Sequence, residues 1–120
     1  MSIQVKDYHH AALVVRDLDK SKWFYSDVLG FSALERPDFG FPGLWFQVGP
    51  VTQLHLMVIE ESIPETMRHF ALEVADFDET IQTLNARGIK IVEGPGKRED
   101  GSDFLFCKDP DGNLIEITKH

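Results

Sequence analysis

His10-Ala-Ala-Leu-Val-Val-Arg-Asp-Leu-Asp-Lys-Ser21 returns further along the chain as His69-Phe-Ala-Leu-Glu-Val-Ala-Asp-Phe-Asp-Glu-Thr80, at a constant offset of 59 residues. His10/His69, Ala12/Ala71, Leu13/Leu72, Val15/Val74, Asp17/Asp76 and Asp19/Asp78 are identical, and Leu18/Phe77 and Ser21/Thr80 are conservative. Working outward, Leu29-Gly30-Phe31 answers to Arg87-Gly88-Ile89 at an offset of 58, and Leu54-His55-Leu56 to Ile115-Glu116-Ile117 at an offset of 61. A repeat of this kind makes each copy one supersecondary unit. The chain therefore reads as one domain, residues 1–120, built from module one (about 8–59), a linker (about 60–67) and module two (about 68–118). A module of about 60 residues is at the limit of what buries a core unaided.

Each module begins with a period-two apolar run, residues 8–16 and 69–75, that predicts a strand with His10, Ala12 and Val14 on one face and Ala11, Leu13 and Val15 on the other. Asp17 and Asp76 are placed to cap a following helix, and Gly30 and Gly88 to end it, giving helices at about 19–29 and 78–87. Three further strands follow in each module, at about 31–36, 43–49 and 52–59, and at about 89–93, 102–108 and 113–118. Asp109-Pro-Asp-Gly112 predicts a tight hairpin turn between the last two, and Gly49-Pro50 the same in module one. Glu60 to Met67, with Pro64, has neither period and reads as the linker.

Lys and Arg number 12 against 20 Asp and Glu, a formal net charge of −8, and no basic cluster exceeds Lys97-Arg98, which argues against nucleic acid as a partner. A hydrophobic share of 42% supplies a core. No secretory pattern opens the chain and no apolar run approaches the roughly 20 residues of a membrane span, so a cytoplasmic protein off the membrane is expected. The single cysteine, Cys107, excludes an internal disulfide, and nothing beside it in sequence would activate the thiol.

Chemistry rests on few residues. His10 and His69 open equivalent strands, while His55 and Glu116 occupy equivalent places on the last strands. Pseudo-two-fold packing of the modules would bring these four to one cleft, and three imidazoles with one carboxylate suit a divalent transition ion such as Zn, Ni, Co, Mn or Fe. Glu116, between Ile115 and Ile117, needs a cation nearby if half buried, and a metal would supply it. Trp45, Gln47, Met57, Phe104 and Phe106 either line a small-molecule pocket or belong to the core. In the loop Gly94-Pro-Gly-Lys-Arg-Glu-Asp-Gly101, Lys97 or Arg98 is placed to meet an anionic substrate, whereas Phe39-Gly-Phe-Pro-Gly43 reads as a lid or a plain turn.

With Leu-Gly-Phe after the first helix, Leu-His-Leu-Met in module one, His-Phe-Ala-Leu-Glu-Val opening module two and Asp-Pro-Asp-Gly-Asn-Leu-Ile-Glu-Ile closing it, the chain resembles the vicinal oxygen chelate superfamily. That group includes glyoxalase I, methylmalonyl-CoA epimerase, fosfomycin and bleomycin resistance proteins and extradiol dioxygenases. The resemblance implies an α+β fold of two paired βαβββ modules forming a curved, incomplete barrel around a cleft, and frequently a homodimer. It implies metal ligands at His10, His55, His69 and Glu116, with Glu116 as general base and His55 able to assist. The position matching His55 is a Glu in glyoxalase I and a Gln in the epimerase, and three ligands suffice in the thiol transferases and dioxygenases. The reaction implied first is that of a glyoxalase-like lyase or isomerase acting on a small oxo compound or its thiol adduct through a metal-stabilised enediolate. A small-molecule (antibiotic) resistance or binding protein is the alternative. An extradiol dioxygenase stands third, because it usually needs duplicated module pairs.

Overall fold

The computed structural model describes residues 1–120, which divide into two compact units, Met1–Glu61 and Ser62–His120. The division falls inside the segment expected to link the modules. In the first unit the order is β1 (His10–Val14), a helix, β2 (Ser32–Leu34), β3 (Gly43–Gln47) and β4 (Gln53–Met57). In the second it is β5 (Phe70–Glu73), a helix, β6 (Ile91–Lys97), β7 (Asp103–Lys108) and β8 (Leu114–Lys119). Both units are βαβββ, and each carries a four-stranded mixed sheet with the same strand sequence, β1-β4-β3-β2 and β5-β8-β7-β6.

The capping residues act where their spacing places them. Asp17 accepts from the Lys20 amide at 3.0 Å and Asp76 from the Glu79 amide at 3.0 Å, each satisfying a donor that the first helical turn leaves open. The first helix, α1 (Leu18–Lys22), widens into a π-helical stretch over Trp23–Val28, and the second, α2 (Phe77–Ala86), is α-helical throughout. Both end in a glycine at positive φ, Gly30 at 78° and Gly88 at 74°.

Strand parity sorts the side chains. On the inner face of the first sheet Phe46, Leu54 and Leu56 are buried, together with Val15, Phe24 and Tyr25 from the flanking segments. In the second, Leu105, Cys107, Ile115 and Ile117 are fully buried, and α2 supplies Phe77 and Leu84. The β7–β8 turn is tied by Asp109, whose carboxylate accepts from the amides of Asp111 at 3.0 Å and Asn113 at 2.8 Å and from the Asn113 side chain at 2.8 Å.

One expected boundary moves. Strand β6 runs through Gly94-Pro95-Gly96 to Lys97 rather than ending at residue 93, with two register shifts against β7. The glycines permit this: a Cβ at Gly94 would lie 2.9 Å from the Phe104 carbonyl and one at Gly96 2.9 Å from the Phe104 ring. The loop carrying Arg98 is correspondingly short, with Arg98 N–H donating to the Ser102 carbonyl at 2.9 Å. No helix is long and apolar enough to cross a membrane.

Two substitutions test this account. Asp76→Ala removes the α2 cap and is expected to cost about 1 kcal/mol, read as a Tm lowered by a few degrees in thermal unfolding followed by circular dichroism. Cys107 is buried, and burial first and Asp109 second push its thiol up to about 11. Since the thiolate is the reactive form, labelling by a disulfide reagent at pH 8 should be slow in the folded protein and fast once it is unfolded.

Candidate functional site

The outer face of the first sheet is set by register. His55 on β4 lies opposite Ala12 of β1 and opposite Trp45 of β3, so His10, two residues before Ala12, and Gln53, Met57 and Gln47 share its face. Of the residues expected to line a ligand pocket, Trp45, Gln47 and Met57 thus stand on the same side as His10 and His55. Three rings form a continuous stack: Trp45 on His55 at 4.0 Å between centroids and 5° between planes, and His55 on His10 at 4.0 Å and 17°. His55 is buried, and its Nε2 pairs with the Gln53 side-chain oxygen at 2.9 Å. Burial foremost, then the neighbouring His10, His9 and Arg36, lowers its pKa to about 4, so this imidazole is neutral, the form that binds a metal. His9 was missed as a site neighbour; its Nδ1 lies 2.8 Å from Nδ1 of His10. Gln53 was missed as well, although its period-two spacing from His55 places both on one face.

In the second sheet the equivalent register puts Glu116 opposite Ala71 of β5 and opposite Phe106 of β7. His69, two residues before Ala71, falls on this face, and its Nε2 lies 3.0 Å from Oε1 of Glu116. On the other side of the ring, Nδ1 lies 2.7 Å from the Met67 carbonyl oxygen. A carbonyl only accepts, so Nδ1 carries the hydrogen, and a neutral His69 then turns the Nε2 lone pair toward a carboxylate oxygen. Two acceptors at that distance need a cation between them, either a proton or a metal ion. A backbone carbonyl holding the far nitrogen is the usual support of a metal-binding imidazole. Two donors each about 2.0–2.1 Å from a tetrahedral ion stand about 3.3 Å apart, close to the separation seen here.

The second oxygen of Glu116 is engaged by Arg98, whose Nη1 is 3.1 Å away. The cation that a half-buried Glu116 needs is supplied at this oxygen by Arg98, which reaches it from the short β6–β7 loop. Arg98 also lies over the Phe104 ring at 4.2 Å, and the His69 ring meets Phe106 edge-on at 4.9 Å. Phe104, Phe106 and Arg98, all singled out in the sequence, therefore surround the His69–Glu116 pair. No three His, Cys, Asp or Glu side chains stand together in a metal-binding arrangement; His10 and His55 lie together on the first sheet and His69 and Glu116 on the second. The donor chemistry fits a divalent transition ion, and the second unit fits it more closely than the first.

These features accord with comparison to known proteins. Residues 7–117 match the family described as the Glyoxalase/Bleomycin resistance protein/Dioxygenase superfamily, and the chain belongs to it. This is the vicinal oxygen chelate superfamily that the sequence resembles. The chain is 34% identical to a "Probable lactoylglutathione lyase" of Synechocystis sp., with 92% of each chain covered. It is 28% identical to the "Metallothiol transferase FosB" of Staphylococcus saprophyticus, over 94% of this chain and 76% of that one. Among solved structures it superposes on TnmS3, described as an antibiotic binding protein from Streptomyces sp. CB03234, with a TM-score of 0.83, 25% identity and 98% of both chains covered.

The tautomer of His69 is open to direct measurement. Long-range proton–nitrogen correlation spectra at neutral pH and without added metal should show its neutral form protonated at Nδ1. An Nε2–H tautomer would remove the lone pair from Glu116 and with it the geometric case for an ion there.

Proposed function

We propose that the protein is a metal-dependent enzyme of the glyoxalase type, a lyase or isomerase that acts on a small oxo compound or its thiol adduct. The observation that carries this reading is the Nδ1–H donation of His69 to Met67, which turns the opposite nitrogen onto Glu116. In this reading His10, His55, His69 and Glu116 are the metal ligands. The relatives called lactoylglutathione lyase and metallothiol transferase support both the ion and the class of chemistry. A bound divalent ion supplies a Lewis acid for negative charge developing on substrate oxygen.

The chain's own residues do the rest. Glu116 takes the proton from the carbon next to the carbonyl and returns it to the neighbouring carbon, so that hydrogen is moved and no net proton is consumed. Arg98 holds Oε2 of Glu116 and so fixes the orientation of the carboxylate. Met67 holds the His69 ring at its angle through the backbone carbonyl. His55, in place of a second carboxylate, leaves Glu116 as the one anionic donor of the set, and Trp45, Gln47, Met57, Phe104 and Phe106 present apolar and amide surface to the substrate.

A homodimer is part of the proposal, because short modules leave apolar surface that a second copy can cover. Sedimentation equilibrium at micromolar concentration should return twice the chain mass. A second reading, an antibiotic-binding protein, is favoured by the Trp45–His55–His10 stack and by the likeness to TnmS3.

Metal analysis of protein purified without chelator separates the two, coupled to interconversion of lactoylglutathione with glutathione and its three-carbon oxoaldehyde. About one divalent ion per chain and measurable turnover are expected. Glu116→Gln should weaken metal retention and lower turnover by about 10²- to 10⁴-fold, while His55→Gln keeps the ion and part of the activity. Full occupancy and turnover in Glu116→Gln, with both lost in His55→Gln, would reverse the assigned roles.

A further inference from the structure

Arg36 follows β2 and carries its charge in unusual company. Its Cζ lies 5.0 Å from the centroid of Phe39 and 5.0 Å from that of Phe41, so the guanidinium is held against two rings. It takes part in none of the ion pairs of a chain that is otherwise strongly acidic; those pairs use His69, Lys97, Arg98, Lys108 and His120. Its Nε is buried and has no hydrogen-bond partner. A buried N–H left unpaired is costly, and such groups in folded proteins nearly always have a partner.

The guanidinium sits on the His55 side of the sheet. A Cβ at Gly43 would lie 2.8 Å from both Cζ and Nε of Arg36, so the glycine leaves the space that the guanidinium fills. Gly43 is two residues before Trp45 on β3, hence on the same face and about 7 Å along the strand. A row of rings joins the two places: Phe39 to Trp45 at 5.9 Å, then Trp45 to His55 at 4.0 Å. Phe39, Phe41 and Gly43 come from the run that reads in sequence only as a lid or a turn, and Arg36 lies three residues before it.

We infer that Arg36 is a specificity-determining residue, an anion subsite that receives a carboxylate of the substrate while the Phe39–Trp45 row covers the adjoining apolar part. The planar fork matches a planar carboxylate in shape, and its two Nη nitrogens, rather than the buried Nε, are the pair that a two-point contact would use. A single cation flanked by rings suits one negative charge. A phosphate dianion would ask for more donors than this corner offers. The inference rests on the reading of the His55 face as the substrate face, and names the class of substrate it takes: a small, partly apolar or aromatic molecule ending in a carboxylate.

Binding of small probes to the full chain tests it without turnover. Benzoate, benzamide and inorganic phosphate are titrated separately while the Trp45 indole N–H signal is followed by nuclear magnetic resonance. Benzoate should bind about tenfold or more tightly than its neutral isostere benzamide and more tightly than phosphate, and Arg36→Met should erase the difference between benzoate and benzamide. Equal binding of benzoate and benzamide, no binding of either, phosphate ahead of benzoate, or a preference that survives in folded Arg36→Met would each overturn the inference. The comparison of probes on the unmodified chain decides the matter even if that variant does not fold. A carboxylate preference without lyase turnover would sink the reaction and leave the subsite; turnover without the preference would do the reverse.

Discussion

The parallel pairing of each module's first strand with its last is the constraint on which the other features depend. Ala12 faces His55 across β1 and β4, and Ala71 faces Glu116 across β5 and β8. Because side chains alternate along a strand, this register alone puts His10 beside His55 and His69 beside Glu116, and sends the leucines and isoleucines between them to the other face. A slip of one residue would turn every donor into the core and every core side chain toward water. The small side chain at Ala12 and Ala71 leaves room beside the donor opposite it.

The repeat is thus conserved in geometry and divergent in charge. In the second unit a carboxylate, an imidazole and a guanidinium form a chain of contacts, with Glu116 shared between His69 and Arg98. In the first, the equivalent of Glu116 is His55, and no carboxylate joins it; its ring is packed between Trp45 and His10 and hydrogen-bonded to Gln53. One half is arranged around an anion and the other around stacked aromatic rings.

Glycine positions carry much of this asymmetry. Gly96 lets β6 pass over Phe104, bringing Arg98 down to Glu116, whereas Gly43 makes room for Arg36 beside β3. In each unit a missing side chain admits a guanidinium to the outer face of the sheet. The two arginines then differ in what they meet: Arg98 finds a carboxylate within the chain, and Arg36 finds only the rings of Phe39 and Phe41.

The module pattern, the caps at Asp17 and Asp76, the Asp109 turn and the equivalence of His10 with His69 and of His55 with Glu116 were legible in the sequence, because each depends on local spacing or on the repeat. The sequence left Trp45, Gln47, Met57, Phe104 and Phe106 between pocket lining and core; cross-strand register puts the first three on the His55 face and the last two on the Glu116 face. Arg36 was not legible, since its place depends on a glycine seven residues later and on how a loop folds back over a strand. The pairing of Arg98 with Glu116, the tautomer of His69 and the stacking of His55 between two rings were hidden for the same reason. Sequence by itself determined which side chains share a face, a matter of period and register. Only the tertiary structure decided which of them touch and in what protonation state, because ring orientation, burial and the reach of loop cations depend on contacts between residues far apart in the chain.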